Sequence, residues 1–165
     1  MPKALTVLTV PDKRLRVPAE TVDKKTIQRL RDDGFFDALI ATMHEENGVG
    51  IAATQVGVPH RVIVVLEGST PRVYLNPDIT SHSVRTVVDT EGCLSVPGVI
   101  GLVRRAKSVT VHALDVDGKP ITKKAKDLIA RIFQHEVDHL NGVLYIDRAV
   151  KTMEVPKNAG AELRV

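Results

Sequence analysis

Cysteine is almost absent from the 165-residue sequence: Cys93 is the only one, and an internal disulfide is therefore excluded. A chain without disulfides suits a reducing compartment, so we expect a cytoplasmic protein. A signal peptide is not expected, because residues 2–16 carry charges throughout and lack a long apolar core. No segment approaches the roughly 20 apolar residues that cross a bilayer, which argues against a membrane-spanning helix.

Aromatic residues are scarce as well: they make up 3% of the chain, and tryptophan is missing. Val, Ile and Leu must then fill the core, a composition that favours strands and does not suit a platform on which nucleic-acid bases stack. We therefore expect no partner of specific nucleic-acid sequence. The net charge of +3 fits a modestly basic enzyme, but it also allows attraction to ribosomal RNA, so association with the ribosome stays open.

The order of apolar and turn-forming residues predicts an α+β fold, in which small antiparallel or mixed sheets surround a central helix. This central helix is expected over residues 127–140, closed by Asn141 and Gly142. An earlier helix is expected over residues 33–46, with Asp33 as its N-cap. Strands are expected over residues 61–66, 73–76 and 108–114, with a further strand near Ile121.

The chain shows no internal repeat, linker or shift of composition, so residues 1–165 are expected to form a single domain. Its tail after Arg148 is polar and is interrupted by Pro156 and Gly160. We expect this tail to be poorly ordered from about residue 151.

The central helix carries the pattern His-Glu-x-x-His, formed by His135, Glu136 and His139. Four residues advance a helix by about 6 Å and rotate it by about 400°, so the two histidines project from one face, one turn apart. This spacing suits two imidazole ligands of one metal ion, and the glutamate lies where a carboxylate can reach a water on that ion. Leu128 and Ile132 continue the same stripe, so we expect the histidines on the buried face. An amphipathic helix can also carry the pattern by chance, with its histidines satisfied in the core.

A catalytic tetrahedral ion takes three protein ligands and keeps one position for water, so a third ligand is needed. The metzincin extension of the motif requires a histidine where this chain has Tyr145, and that alternative fails. A thermolysin-like site requires a downstream helical glutamate, and Glu162 lies at a conceivable distance but in a short tail beside Gly160, which makes this alternative weak. Cys93 is the remaining soft ligand, although an isolated cysteine is more often a buried apolar filler.

Three segments resemble, in order and spacing, the three signature motifs of peptide deformylases: residues 48–55 (GVGIAATQ), 91–95 (EGCLS) and 134–139 (QHEVDH). The resemblance covers roughly residues 10–150. It implies a small α+β fold and a hydrolase that removes the formyl group from N-formylmethionyl peptides. It also implies Fe(II) as the cofactor, with zinc, nickel or cobalt as substitutes, whereas ligand softness alone favours zinc.

The same resemblance implies roles in the chemistry. The implied metal ligands are Cys93, His135 and His139. Glu136 would act as the acid/base, and the donors to the oxyanion would be Gln55 and the backbone N–H of Leu94.

Further residues are implied to bind the substrate. The backbone of Val49 and Gly50 would hold the peptide, and the border of the methionine pocket would be formed by Glu91, Leu128 and Ile132. Two roles stay open for Glu91, Asp138 and Arg105. They either orient the metal ligands through hydrogen bonds or form plain salt bridges at the surface. Two positions depart from the family pattern, which often has an arginine and an acidic residue where this chain has Ile100 and Leu102. These departures are either neutral drift at the rim of the site or functional changes. A functional change would alter the binding of the peptide tail or provide an apolar contact with a partner.

Two other classes of function stay open. A metallopeptidase would cleave unformylated peptides internally, and a zinc-stabilised module without catalysis would need four protein ligands. The remaining histidines are expected to face solvent and to offer no fourth ligand: His44, His60, His82 and His112.

Overall fold

The computed structural model describes residues 2–157, which form two antiparallel sheets and several helices. This architecture confirms the predicted α+β class. The α-helices are α1 (Lys24–Asp32), α2 (Phe35–Glu45), α3 (Asp127–Leu140) and α4 (Tyr145–Arg148). The strands are β1 (Gly50–Ala52), β2 (Val62–Glu67), β3 (Thr70–His82), β4 (Thr86–Cys93), β5 (Val96–Ala106), β6 (Ser108–Leu114), β7 (Pro120–Lys126) and β8 (Lys151–Glu154). Within residues 2–157, no helix combines the length and the apolar character that a bilayer crossing demands.

Helix α3 begins and ends at the predicted residues, and it contacts both sheets. The five-stranded sheet has the order β1-β2-β3-β6-β7, and its apolar side chains pack against Phe133 and Val137 of the helix. The three-stranded sheet has the order β4-β5-β8 and contacts the helix through polar groups. The side-chain amide of Gln134 on α3 donates to Ala106 O of β5 at 3.0 Å and accepts from Ala106 N at 2.9 Å. Residues 130–140 are consequently all buried, so this part of the helix has no solvent-exposed face.

Leu128 is an exception to the stripe predicted from the sequence. Leu128 is 57% exposed, whereas Ile132, four residues later, is fully buried. The prediction was wrong at this residue because the buried part of α3 starts only at Ala130.

The helix predicted over residues 33–46 is shorter than expected, and the helix before it was missed. Asp33 is the C-cap of α1, and Gly34, in the left-handed conformation at φ +69°, separates α1 from α2. The N-cap of α1 is Asp23, whose side chain accepts a hydrogen bond from the N–H of Thr26 at 2.8 Å. Asp33, directly before a glycine, therefore ends α1, whereas the sequence prediction had taken it as the start of the next helix.

Strands β4, β5 and β8 were not predicted, and β8 corrects the expectation of poor order from about residue 151. Strand β8 pairs with β5, so that Ile100 lies opposite Met153 and Leu102 lies opposite Lys151. For residues 158–165, which lie outside the described residues, the expectation stays a prediction.

The N-terminal segment crosses the end of α3 at a glycine. Ala19 N donates to Leu140 O at 2.8 Å. Gly142 has φ +73°, and a Cβ at this position would overlap the backbone oxygen of Arg16 and lie 2.8 Å from its carbonyl carbon. The glycine that stops the helix therefore also lets the N-terminal segment pack against it.

The variant Gly142→Ala should lower the free energy of unfolding by roughly 3 kcal/mol, because the left-handed backbone and the overlap with Arg16 each add strain. Gly68→Ala is the matched control, since Gly68 also has a positive φ of +65° but nothing lies within 4 Å of an added Cβ. The control should lose only about 1 kcal/mol. Urea unfolding measures both variants, and equal losses would show that the contact with Arg16 carries no strain.

Candidate metal centre

The side chains of Cys93, His135 and His139 meet in the interior, where their ligand atoms all lie within 4.8 Å of one another. Each of the three residues is at most 3% exposed. The sulfur of Cys93 lies 3.2 Å from Nε2 of His139, and the centres of the two imidazole rings are 5.0 Å apart. One sulfur and two nitrogens at these separations can hold one divalent ion.

The turn between β4 and β5 brings the sulfur to the histidines. Cys93 is the last residue of β4, and it pairs across the turn with Val96, the first residue of β5. The N–H of Ser95 donates to Cys93 Sγ at 3.4 Å. Because α3 contacts both sheets, the thiol and the two imidazoles are positioned by the same junction.

Glu91 sets the tautomer of His135. Its carboxylate lies 2.8 Å from Nδ1 of His135 and accepts hydrogen bonds from Arg105 at 2.9 Å and from Arg131 at 2.7 Å. Burial raises the pKa of Glu91, but the hydrogen bonds from Arg105 and His135 outweigh burial and hold this pKa well below its usual value. An ionised carboxylate only accepts, so Nδ1 carries the proton and Nε2 keeps a free lone pair. This Nε2 has no hydrogen-bond partner within residues 2–157.

Burial also determines the protonation of the other two ligands. It raises the pKa of the Cys93 thiol to about 12, and the carboxylate of Glu136 adds to the rise. It lowers the pKa of His139 well below its usual value, because a buried imidazolium would lose its hydration. The imidazole of His139 is therefore neutral and able to coordinate, whereas the thiol would ionise only beside a cation. This donor set fits a bound divalent ion.

Glu136 lies next to the first histidine in the sequence and is fully buried. Neither of its carboxylate oxygens has a hydrogen-bond partner in the described part of the chain. Burial raises the pKa of Glu136 well above its usual value, and the charge of Glu91 adds to the rise. A Cβ added to Gly50 would lie 2.5 Å from Oε1 of Glu136 and 2.8 Å from Cγ2 of Ile132. Glycine is required at position 50 because the backbone of β1 passes directly against the carboxylate of Glu136.

Gln55 holds its amide nitrogen toward the thiol. Its Oε1 accepts from the N–H of Ala52 at 2.8 Å, and its Nε2 lies 3.1 Å from Ser95 Oγ and 3.7 Å from Cys93 Sγ. Leu94 follows the cysteine directly, so its N–H belongs to the same turn, and its side chain is buried in the core around α2. The two residues predicted to stabilise an oxyanion thus both lie beside the thiol.

The residues predicted to bind the substrate differ in their surroundings. Val49 is partly buried, Ile132 is fully buried, and Leu128 is exposed in the first turn of α3. Both carboxylate oxygens of Glu91 are engaged by His135 and two arginines. These contacts favour the support of a metal ligand over a surface salt bridge as one role of Glu91. Its place at the border of the methionine pocket stays a prediction.

Two residues of the site were not singled out from the sequence. Arg131 donates to Glu91. Its position four residues before His135, on the same face of α3, is the sequence feature that could have indicated this role. Tyr145 had been considered only as a failed metal ligand. Its ring stacks on His135 with centroids 5.9 Å apart, and its hydroxyl donates to Val99 O at 2.7 Å. No sequence pattern indicates this stacking.

The other histidines do not join the cluster. Over residues 2–157, the group of three or more potential metal ligands consists of Cys93, His135 and His139 alone. The exposed histidines are His44, His82 and His112. The expectation was wrong for His60, which is partly buried beside Arg29.

Known proteins are similar to this chain in sequence and in fold. The chain matches the family model described as polypeptide deformylase over residues 4–154. A peptide deformylase of Syntrophomonas wolfei is 43% identical over 146 residues, which cover 88% of this chain and 93% of the relative. The corresponding relative of Chromohalobacter salexigens is 45% identical over 149 residues, which cover 87% of this chain and 84% of that protein.

Solved structures give the same result. The Met-Ala-Ser-bound class I type b peptide deformylase of Acinetobacter baumannii has a TM-score of 0.85 at 37% identity, covering 90% of this chain and 99% of its own. The peptide deformylase of Thermotoga maritima has a TM-score of 0.84 at 35% identity, again covering 90% of this chain and 99% of its own. These matches confirm the resemblance drawn from the three motifs.

The variant Glu91→Gln should weaken metal binding by about 10–100-fold, because an amide is no longer a charged acceptor for Nδ1 of His135. It also removes the anion shared by the buried Arg105 and Arg131, and should lower the free energy of unfolding by about 3–5 kcal/mol. Metal affinity is measured by competition with a chelator, and the free energy by urea unfolding of the metal-free protein.

Glu67→Gln is the matched control for this prediction. Glu67 also binds a basic side chain, that of Lys123 at 2.6 Å, but it contacts none of the three candidate ligands. The control should keep the wild-type metal affinity. Equal affinities in the two variants would contradict the role of Glu91.

Proposed function

The chain belongs to the peptide deformylase family, whose hydrolases remove the formyl group from nascent peptides, and we propose that Cys93, His135 and His139 hold the ion that this reaction requires. The observation that carries the proposal is the convergence of the three ligand atoms within 4.8 Å in the interior. The tautomer of His135 supports it, because the lone pair on Nε2 is left for a ligand outside the protein. Three protein ligands are the number that catalytic metal sites typically provide, and Cys93, His135 and His139 would supply them.

When bound by these residues, an ion would supply Lewis acidity for the formyl carbonyl and would lower the pKa of a water toward neutral. We propose Fe(II) as the physiological ion, following the family resemblance, with zinc, nickel or cobalt as substitutes. A thiolate and two imidazoles suit zinc as well. Metal analysis of protein purified without oxygen separates iron from zinc.

Glu136 is the proposed acid/base. Its oxygens are buried and have no partner among residues 2–157, so they are available to a water or to the substrate. Its raised pKa allows the carboxylate to take a proton from the attacking water and to pass it to the departing amine. Hydroxide adds to the formyl carbon, the C–N bond breaks, and formate and a free N-terminus result.

Gln55 and the N–H of Leu94 are the proposed donors to the oxyanion. The Gln55 amide is oriented by the bond that its oxygen accepts from the N–H of Ala52, which keeps its nitrogen on the side of Cys93. Leu94 is fixed because its neighbour Cys93 is a ligand and its own side chain is buried. A donor of this kind typically contributes about 10²–10³ in rate, because it meets charge that develops only in the transition state.

We propose that the backbone of Val49 and Gly50 binds the peptide. Strand β1 lies at the edge of the five-stranded sheet, and an extended peptide can add to such an edge. The methionine side chain would lie between the buried Ile132 and the exposed Leu128, with Glu91 also at the border of its pocket. The relative of Acinetobacter baumannii binds Met-Ala-Ser, and we propose peptides of the same class as substrates here.

The wider setting is also a proposal. We propose that residues 1–165 act as one catalytic domain in the cytoplasm, where nascent chains are made. The net charge of +3 supports an association with the ribosome. Ile100 and Leu102 lie side by side with β8, and the exposed Met153 opposite Ile100 supports an apolar contact at this rim.

The substrate class is tested by comparing formyl-Met-Ala-Ser with casein. We expect formate release from the formylated tripeptide and no fragments from casein, because the proposed donors meet an oxyanion at a chain end. Unformylated Met-Ala-Ser is the matched control and should not be cleaved. Internal cleavage of casein without formate release would favour a metallopeptidase instead.

Two variants separate metal binding from proton transfer. Glu136→Gln should keep the metal and lose about 10²–10⁴-fold in kcat, because an amide cannot carry the proton. Cys93→Ala should lose the metal itself, because one of three ligands is removed. Metal content and formate release are measured on both variants. Full metal occupancy in Cys93→Ala, or turnover of Glu136→Gln close to the wild-type rate, would refute the corresponding assignment.

A further inference from the structure

Charged side chains continue from His135 toward the surface in an unbroken series. Glu91, which accepts from His135, is held by Nε and Nη2 of Arg105, each at 2.9 Å. Nη1 of Arg105 donates to Oδ2 of Asp138 at 2.6 Å. Arg148 ends the series, because its Nε donates to Oδ2 of Asp138 at 2.7 Å and its Nη2 donates to Oδ1 at 2.9 Å. Every link joins two ionisable groups, and such bonds are short and directional.

Burial decreases along the series. The exposed fraction of the side chain is 0% for Glu91, 4% for Arg105, 11% for Asp138 and 50% for Arg148. Arg148 belongs to α4, and together with Asp138 it lines a surface cavity of about 370 Å³. Water can therefore replace Arg148 at the outer end without leaving a charge unsolvated.

We infer that Arg148 is a positioning residue for His135, acting through Asp138, Arg105 and Glu91. The inference rests on the proposed function, because the orientation of His135 matters only where this residue is a metal ligand. Two guanidinium groups share Oδ2 of Asp138, so together they fix the plane of the carboxylate. Without Arg148 this carboxylate can turn toward the cavity, and Arg105 then holds Glu91 less rigidly.

Charge and geometry predict opposite effects when Arg148 is removed. Loss of a positive charge near the site strengthens the binding of a divalent cation, whereas loss of orientation weakens it. Arg16 provides a control for charge. It pairs with Asp147 on the same helix at 3.1 Å, and its charge acts on His139, but it has no bond to the series.

Cobalt(II) binding to the full-length protein tests the inference through two readouts, the visible absorption band of the bound ion and the affinity measured by competition with a chelator. Arg148→Lys keeps the charge but loses the paired hydrogen bonds, and Arg148→Met loses both. Both variants should bind cobalt about 3–10-fold more weakly and shift the band, a smaller effect than at a residue that touches the ligand directly. Arg16→Met should keep the wild-type band and bind cobalt at least as tightly.

Several results would overturn the inference. A wild-type band and affinity in Arg148→Lys would do so, as would tighter binding in Arg148→Met, which is the effect of charge alone. A lower free energy of unfolding together with an unchanged cobalt band would assign Arg148 a purely structural role. A wild-type protein that binds no cobalt would overturn the metal site itself and the inference with it, a failure seen before any variant is made.

Discussion

The carboxylate of Glu91, buried without contact with solvent, is the constraint on which the rest of the site depends. A buried charge is costly unless donors surround it, and here the donors come from Arg105 on β5 and from Arg131 and His135 on α3. These donors satisfy Glu91 only when β4, β5 and α3 meet in one arrangement. The same arrangement brings Cys93, two residues after Glu91, to the histidines of α3. The arrangement that neutralises the charge of Glu91 is therefore the same one that brings the three candidate ligands together.

This arrangement also explains why residues 130–140 of α3 are buried on all sides. Its apolar face packs on the five-stranded sheet, and its polar face is paired with β4, β5 and α4. The polar atoms that stay unpaired are concentrated at the site. Within residues 2–157, five buried side-chain nitrogen or oxygen atoms lack a hydrogen-bond partner, and four of them belong to His135, Glu136 and His139. Unpaired buried polar groups are expensive, so their concentration here indicates groups kept available for an external ligand.

Prediction from the sequence succeeded where a local pattern determines the structure. The bounds of α3 followed from its periodicity and from the glycine that stops it, and β6 followed from its alternation. Strands β4 and β5 were missed because one face of their sheet contacts polar groups of α3, which removes the apolar alternation. The support of His135 by Glu91 had been one of two alternatives, since its partners lie 14 and 40 residues along the chain and only the fold brings them together. Arg148 was missed for the same reason.

The edge of β1 would connect the candidate metal centre to the choice of substrate. Gly50 lets the backbone of this strand pass against Glu136, so a peptide paired with β1 would have its main chain beside the proposed acid/base. The strand has only three residues, Gly50–Ala52. An edge of this length can hydrogen-bond to about two or three residues of an extended peptide, because alternate residues face away from the added strand. Recognition through β1 therefore suits a substrate that is identified by its first residues, and it leaves the rest of a nascent chain without main-chain contacts to this strand.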